Sequence, residues 1–117
     1  MSVSLLAWAQ SLGDAIKFQS VSWNETDQNE EELEGLQDFL KERFKGVFMS
    51  PWVEVFTVNR LSLLLRVSGS HHTRNPYLLA GHLDVVPTGE PGRWDRDPFL
   101  GQIVEEPGGE QAGLEFC

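Results

Sequence analysis

Cysteine is almost absent from this chain: its 117 residues hold one, Cys117, at the last position. A single thiol excludes a disulfide framework and any cysteine-based metal cluster, so a bound metal would have to be held by His, Asp and Glu. Basic residues are also scarce. Nine lysines and arginines stand against eighteen aspartates and glutamates, a formal charge of −9. Nothing supplies the basic stripe that phosphate contact needs, which argues against nucleic acid as a partner. Much of the negative charge lies between Glu25 and Glu42 and reads as a solvated helix face. No apolar run is long enough to span a bilayer. The opening Met1-Ser2-Val3-Ser4-Leu5-Leu6-Ala7-Trp8 lacks a basic n-region and its apolar stretch is short, so no signal peptide is predicted. The cytoplasm is then the default compartment, and secretion requires a native start other than this one. Asn24-Glu25-Thr26 is a glycosylation sequon, which matters only in the secreted case.

What is present suits one small domain. Apolar residues make up 40% of the chain, slightly low for a soluble globular protein but within reach of a core. Leu5, Trp8, Ala9, Leu12 and Ile16 recur at helical spacing and predict an amphipathic helix ending before Gln19 or Ser20. A loop follows from Phe18 to Asp27, with Val21 and Trp23 tucked against the core. Asp27-Gln28-Asn29-Glu30 has the spacing of a capping box. It opens a second helix whose buried stripe is Leu33, Leu36, Phe39, Leu40 and Phe44, with Gly46 as C-cap.

After Pro51 the period changes. Trp52 to Val58 reads as a strand, Asn59-Arg60 as a tight turn, and Leu61 to Val67 as a second strand with an apolar centre. Ser68 to Asn75 is a connecting loop, and Tyr77 to Gly81 a third, buried strand. Two helices followed by three strands predict an α/β fold whose sheet is incomplete, the opening part of a larger domain. Residues 1–104 form that part, and residues 105–117 a polar, glycine-rich tail without periodicity.

The third strand delivers Gly81-His82-Leu83-Asp84-Val85-Val86-Pro87 to its carboxyl end, the end where ligands collect in open α/β sheets. Residues at i and i+2 of an extended segment point to one side, so His82 and Asp84 can share a pocket. An imidazole with a carboxylate beside it is the pairing that zinc sites use, the ring binding metal through one nitrogen and donating the other N–H to the carboxylate. A bare His-x-Asp is also what a hydrogen-bonded polar pair at a strand end looks like, and without wider context that is the simpler reading.

The wider context is specific. The run Gly81 to Pro87, then Trp94, then Asp97-Pro98-Phe99 and Gly101, resembles the zinc carboxypeptidase/aminoacylase family of dizinc hydrolases, in particular its N-fatty-acyl-amino-acid hydrolase and vacuolar carboxypeptidase branch. The resemblance covers roughly Leu5 to Val104. It implies a dizinc-exopeptidase catalytic domain, with His82 a ligand to one of two zinc ions and Asp84 the active-site carboxylate that holds the His82 ring. Trp94, Pro98 and Phe99 would pack the loop over the strand ends. The implied chemistry is hydrolysis of an amide bond next to a free carboxylate, in N-acyl amino acids or small peptides, with a glutamate as general base.

The resemblance fails after Val104. The family's Gly-Arg-Gly-x-x-Asp-x-Lys segment, with its metal-bridging aspartate, would fall where this chain reads Gln111-Ala112-Gly113-Leu114-Glu115-Phe116-Cys117. Glu115 sits near the expected position without the flanking residues. The paired glutamates, the final histidine ligand and the dimerisation domain have no counterpart. His71 and His72 lie in the preceding loop and read as solvated. One imidazole cannot hold catalytic zinc, which takes about three protein ligands. The expectation is therefore a fragment of a zinc hydrolase, inactive alone. Two alternatives stay open: a non-catalytic truncated or spliced product, and a free-standing binding module without metal.

Overall fold

The computed structural model describes residues 4–105 and 114–116; the rest of the expected tail, including Cys117, lies outside them. Helix α1 (Leu5–Ile16) begins at Ser4, whose hydroxyl accepts the Ala7 N–H at 3.2 Å and so satisfies one of the orphan donors of the first turn. A short hairpin follows, β1 (Ser22–Asn24) against β2 (Asp27–Gln28). Next come α2 (Glu30–Arg43) and the single turn α3 (Lys45–Phe48). Strands β3 (Val53–Val58) and β4 (Ser62–Val67) form a second hairpin, and β5 (Ile103–Glu105) pairs with β6 (Leu114–Phe116).

The class is thus mixed helix and strand, as expected of an α/β chain, but the strands do not share one sheet. Among the described residues they form three separate two-stranded antiparallel ribbons. The predicted strand Tyr77–Gly81 does not form: it belongs to no ladder, and Tyr77, Leu78 and Leu79 are 86%, 78% and 85% exposed. An isolated strand has nothing to accept its N–H groups or cover its side chains, so apolar β-propensity alone cannot hold it.

The core lies between the two long helices. Leu33 and Leu36 are buried as the α2 stripe predicts, with Phe39, Leu40 and Phe44 half-buried beside them. Rings bridge the helices: Trp8 stacks on Phe44 at 5.9 Å between centroids, and Phe18 meets Phe39 at 5.6 Å. Such pairs add about 0.5–1.5 kcal/mol each beyond area burial.

On α1 the expected stripe is only partly correct. The buried residues are Ala9, Ser11 and Gly13, while Leu5, Trp8 and Leu12 are exposed. Close approach selects the small ones: a Cβ on Gly13 would run into the Gly101 carbonyl. Val21 is buried as expected, and Trp23 is not.

Three local expectations also shift. The capping box does not form, because Asp27 and Gln28 are taken by β2, the N-cap passes to Asn29, and the Asn29 amide donates to the Gln19 carbonyl instead. Gly46 is not a C-cap but lies inside α3, Phe44 ending α2. The β3–β4 connection has three residues, with Val58 opposite Ser62 and both Asn59 and Arg60 at positive φ (48° and 65°). That conformation is unfavourable for arginine, and side chains of α2 hold it in place. Buried Gln37 donates to the Arg60 carbonyl at 3.0 Å, and the Arg60 guanidinium pairs with Glu34 and Glu30.

Candidate metal centre

The segment that carries His82 and Asp84 is positioned by the loop after α1, not by a sheet. Val85 donates to the Ser20 carbonyl at 2.9 Å and accepts from the Ser22 N–H at 2.9 Å, making a single parallel bridge between Val21 and Val85. Ser20, itself buried, donates its hydroxyl to the Leu83 carbonyl at 2.8 Å. Sequence reading missed this clamp. Its only signal was a serine beside an isolated buried valine, which many loops share.

Held this way, the two expected site residues do meet. The His82 Nδ1 lies 2.6 Å from the Asp84 main-chain oxygen and 3.3 Å from Asp84 Oδ1. The nearer partner is the backbone carbonyl, so Asp84 contacts the ring with both main chain and side chain. Both neighbours of Nδ1 are acceptors, so in the neutral ring the proton lies on Nδ1 and the Nε2 lone pair is free to bind a metal. The His82 side chain is 84% exposed and that of Asp84 39%, so Nε2 is open to a ligand arriving from outside.

His82 and Leu83 separate two clefts. One, of about 490 Å³, runs between Leu12 and Ile16 of α1 and the loop of Val86, Pro87 and Phe99. The other, of about 750 Å³, lies between Leu40 of α2 with the C-cap Phe44 and Leu63 and Leu65 of β4. The loop after Pro87 closes on itself: Trp94 Nε1 donates to the Thr88 carbonyl at 2.9 Å and the Phe99 N–H to Asp97 Oδ1 at 2.9 Å. Gly89, Gly92 and Gly101 take the positive φ values this path requires. Trp94 therefore ties the loop by its N–H, while Pro98 and Phe99 turn inward and line the first cleft.

The other candidates stay apart. His71 and His72 are exposed in the β4 loop, and Glu115 sits in β6 opposite Val104. Among the described residues no three His, Cys, Asp or Glu side chains converge as a metal set. The donor set at hand fits one ligand position: an imidazole with its tautomer set and its far nitrogen open.

An imidazole backed by an aspartate two residues on, beside a tryptophan-tied loop, offers a single ligand position and does not by itself define a reaction. Comparison with known proteins carries the assignment to a family. No family model matches the chain, and no solved structure matches it. Curated relatives do. An N-fatty-acyl-amino acid synthase/hydrolase of Danio rerio is 37% identical over 91 residues, covering 78% of this chain and 18% of its own length. A probable carboxypeptidase S-like protein of Dictyostelium discoideum is 34% identical over 105 residues, covering 87% of this chain and 20% of its own length. A succinyl-diaminopimelate desuccinylase of a Methylobacterium is 64% identical over 36 residues, 31% of this chain and 8% of its own. The chain belongs to the zinc carboxypeptidase/aminoacylase family. It spans about a fifth of the length of the first two of these relatives.

Proposed function

We propose that this chain supplies the His82–Asp84 segment of a zinc-dependent hydrolase that cleaves amide bonds next to a free carboxylate, in N-acyl amino acids or small peptides. The observation that carries this reading is the state of the His82 ring, with Nδ1 engaged by Asp84 and Nε2 outward at the seam of two clefts. His82 is the metal ligand. Asp84 fixes the ring tautomer and stabilises charge on the imidazole as electron density moves to the metal. A zinc ion bound there would polarise the substrate carbonyl and lower the pKa of a bound water. The names of the relatives, an acyl-amino-acid hydrolase, a carboxypeptidase and a desuccinylase, support this substrate class.

One imidazole provides one of the roughly three ligands a catalytic zinc takes. Among the described residues nothing supplies the remaining ligands or the general base, and hydrolysis is proposed to need a polypeptide of the relatives' length. Exposure of Tyr77, Leu78 and Leu79 favours the same view: this surface is built to be covered.

The test is zinc content and hydrolysis of an N-acyl amino acid, measured on the 117-residue chain and on a polypeptide extended to the length of the relatives. The extended form is expected to hold zinc and hydrolyse, and His82→Ala to lose most of both. Undiminished zinc and activity in the extended His82→Ala protein would overturn the ligand assignment. Hydrolysis by the short chain would overturn the need for the longer polypeptide.

A further inference from the structure

The β1–β2 turn borders the cleft that His82 and Asp84 line, through Glu25 and Gln28. Asn24 stands opposite Asp27, with only Glu25 and Thr26 between them, and every residue from Trp23 to Asp27 is exposed. Thr26 folds back on Asn24: its N–H donates to Asn24 Oδ1 at 2.9 Å, and its hydroxyl donates to the same oxygen at 3.0 Å. A backbone N–H can only donate, so the Asn24 atom facing it is the amide oxygen. The amide nitrogen, Nδ2, is thereby turned away from the turn. Among the described residues it donates no hydrogen bond.

This arrangement has chemical consequences. Two donors on one carbonyl oxygen fix the side-chain orientation and draw electron density from nitrogen toward oxygen. That makes the Nδ2 protons more acidic, the change an amide nitrogen needs before it can act as a nucleophile. A structural Asx turn requires only the N–H contact; the threonine hydroxyl on the same oxygen exceeds that requirement.

We propose that Asn24 is a modification site, the acceptor of an N-linked oligosaccharide from a lipid-linked diphosphate donor. In the transfer, Asn24 Nδ2 forms a bond to the anomeric carbon of the first sugar. The bond from that carbon to the diphosphate oxygen breaks, and the lipid diphosphate leaves with the electron pair. One Nδ2 proton passes to a base of the transferring enzyme, and no oxidant or reductant is involved. The hydroxyl of Thr26 is the group that distinguishes this asparagine from every other in the chain, since no other Asn is followed two positions on by Ser or Thr with a non-proline between. At an exposed hairpin tip the added glycan displaces no packed side chain.

The test delivers the full chain to the endoplasmic reticulum lumen of a eukaryotic cell behind a cleavable signal. Mobility and intact mass are then read before and after peptide N-glycosidase. The expected result is one discrete upward shift that the glycosidase removes, leaving aspartate at position 24. Asn24→Gln and Thr26→Val are each expected to lose the shift, and Thr26→Ser to retain part of it, with circular dichroism confirming that all three remain folded. Unmodified wild-type chain, recovered from cells that glycosylate a control protein, would overturn the proposal. So would a glycosidase-sensitive shift that survives Asn24→Gln.

Discussion

Two serines are buried almost equally, Ser20 at 3% exposure and Ser11 at 4%, yet they are expected to respond oppositely to replacement by alanine. Ser20 Oγ reaches across 63 residues of sequence to the Leu83 carbonyl at 2.8 Å, inside the clamp that carries His82. Ser20→Ala leaves that carbonyl without its side-chain donor in a half-buried place, a loss of about 1 kcal/mol, near the low end of the range for an orphaned group. Ser11 Oγ only returns to the Ala7 carbonyl one turn back, at 2.7 Å. Such back-bonding adds little, and alanine is the better helix former, so Ser11→Ala should change stability by less than about 0.5 kcal/mol, if anything upward. In urea, with a slope of about 1–3 kcal/mol per molar, Ser20→Ala should lower the midpoint by roughly 0.3–1 M while Ser11→Ala leaves it near wild type. Hydrogen exchange localises the effect: the Val85 N–H, bonded to the Ser20 carbonyl, should lose protection in Ser20→Ala alone. Equal midpoints for the two variants, or an unaltered Val85 amide, would refute the view that this bond holds the site segment.

Gly13→Ala should destabilise by about 1–3 kcal/mol despite alanine's helix propensity, because the new methyl meets the Gly101 backbone, which no rotamer change relieves; a thermal melt no lower than wild type would contradict the close approach. Leu79→Lys, at an 85% exposed position, should shift stability by less than about 0.5 kcal/mol while reducing aggregation in light scattering, and loss of the fold would mean that the side chain is packed after all. Arg60 is held above its ordinary pKa, first by its hydrogen bond to Glu34 and then by the charges of Glu34 and Glu30. A raised cationic pKa gives stability that is complete below the unfolded value and is lost only as pH climbs through the folded one, so Arg60 titration should contribute no slope to a stability profile between about pH 5 and 9. Its ion pairs are exposed, so the wild-type melting temperature should fall toward that of Arg60→Gln as salt approaches roughly 1 M; a difference that persists at high salt would show that the link is not electrostatic.

The elements that could be read from residues are those whose stability is local. The spacing of Leu33, Leu36, Phe39 and Leu40 specifies a helix through a 3.6-residue period, and two β-branched and apolar runs, Val53–Val58 and Ser62–Val67, pair across a short turn. The failures occurred where a distant partner decided the outcome. Leu5, Trp8 and Leu12 have helical spacing, but spacing does not say which side meets a neighbour, and the approach of Gly101 turns Gly13 inward. Asp27 and Glu30 have capping-box spacing, but pairing with β1 takes Asp27 first. Tyr77 to Ala80 has strand composition, and no strand lies beside it among the described residues.

The candidate site divides in the same way. The sequence by itself determined which residues are the candidates: His82 and Asp84 are two positions apart, and Trp94 and Pro98-Phe99 follow at the family's spacing, all covalent facts that no packing alters. Only the tertiary structure decided how they are held. Ser20 and Val21 clamp Leu83 and Val85 from 63 or more residues away, and the Asp84 main chain rather than its carboxylate lies nearest the His82 ring. Contacts between residues remote in sequence leave no periodic trace in it, because they depend on where whole elements come to rest and on which backbone groups still lack partners when they do.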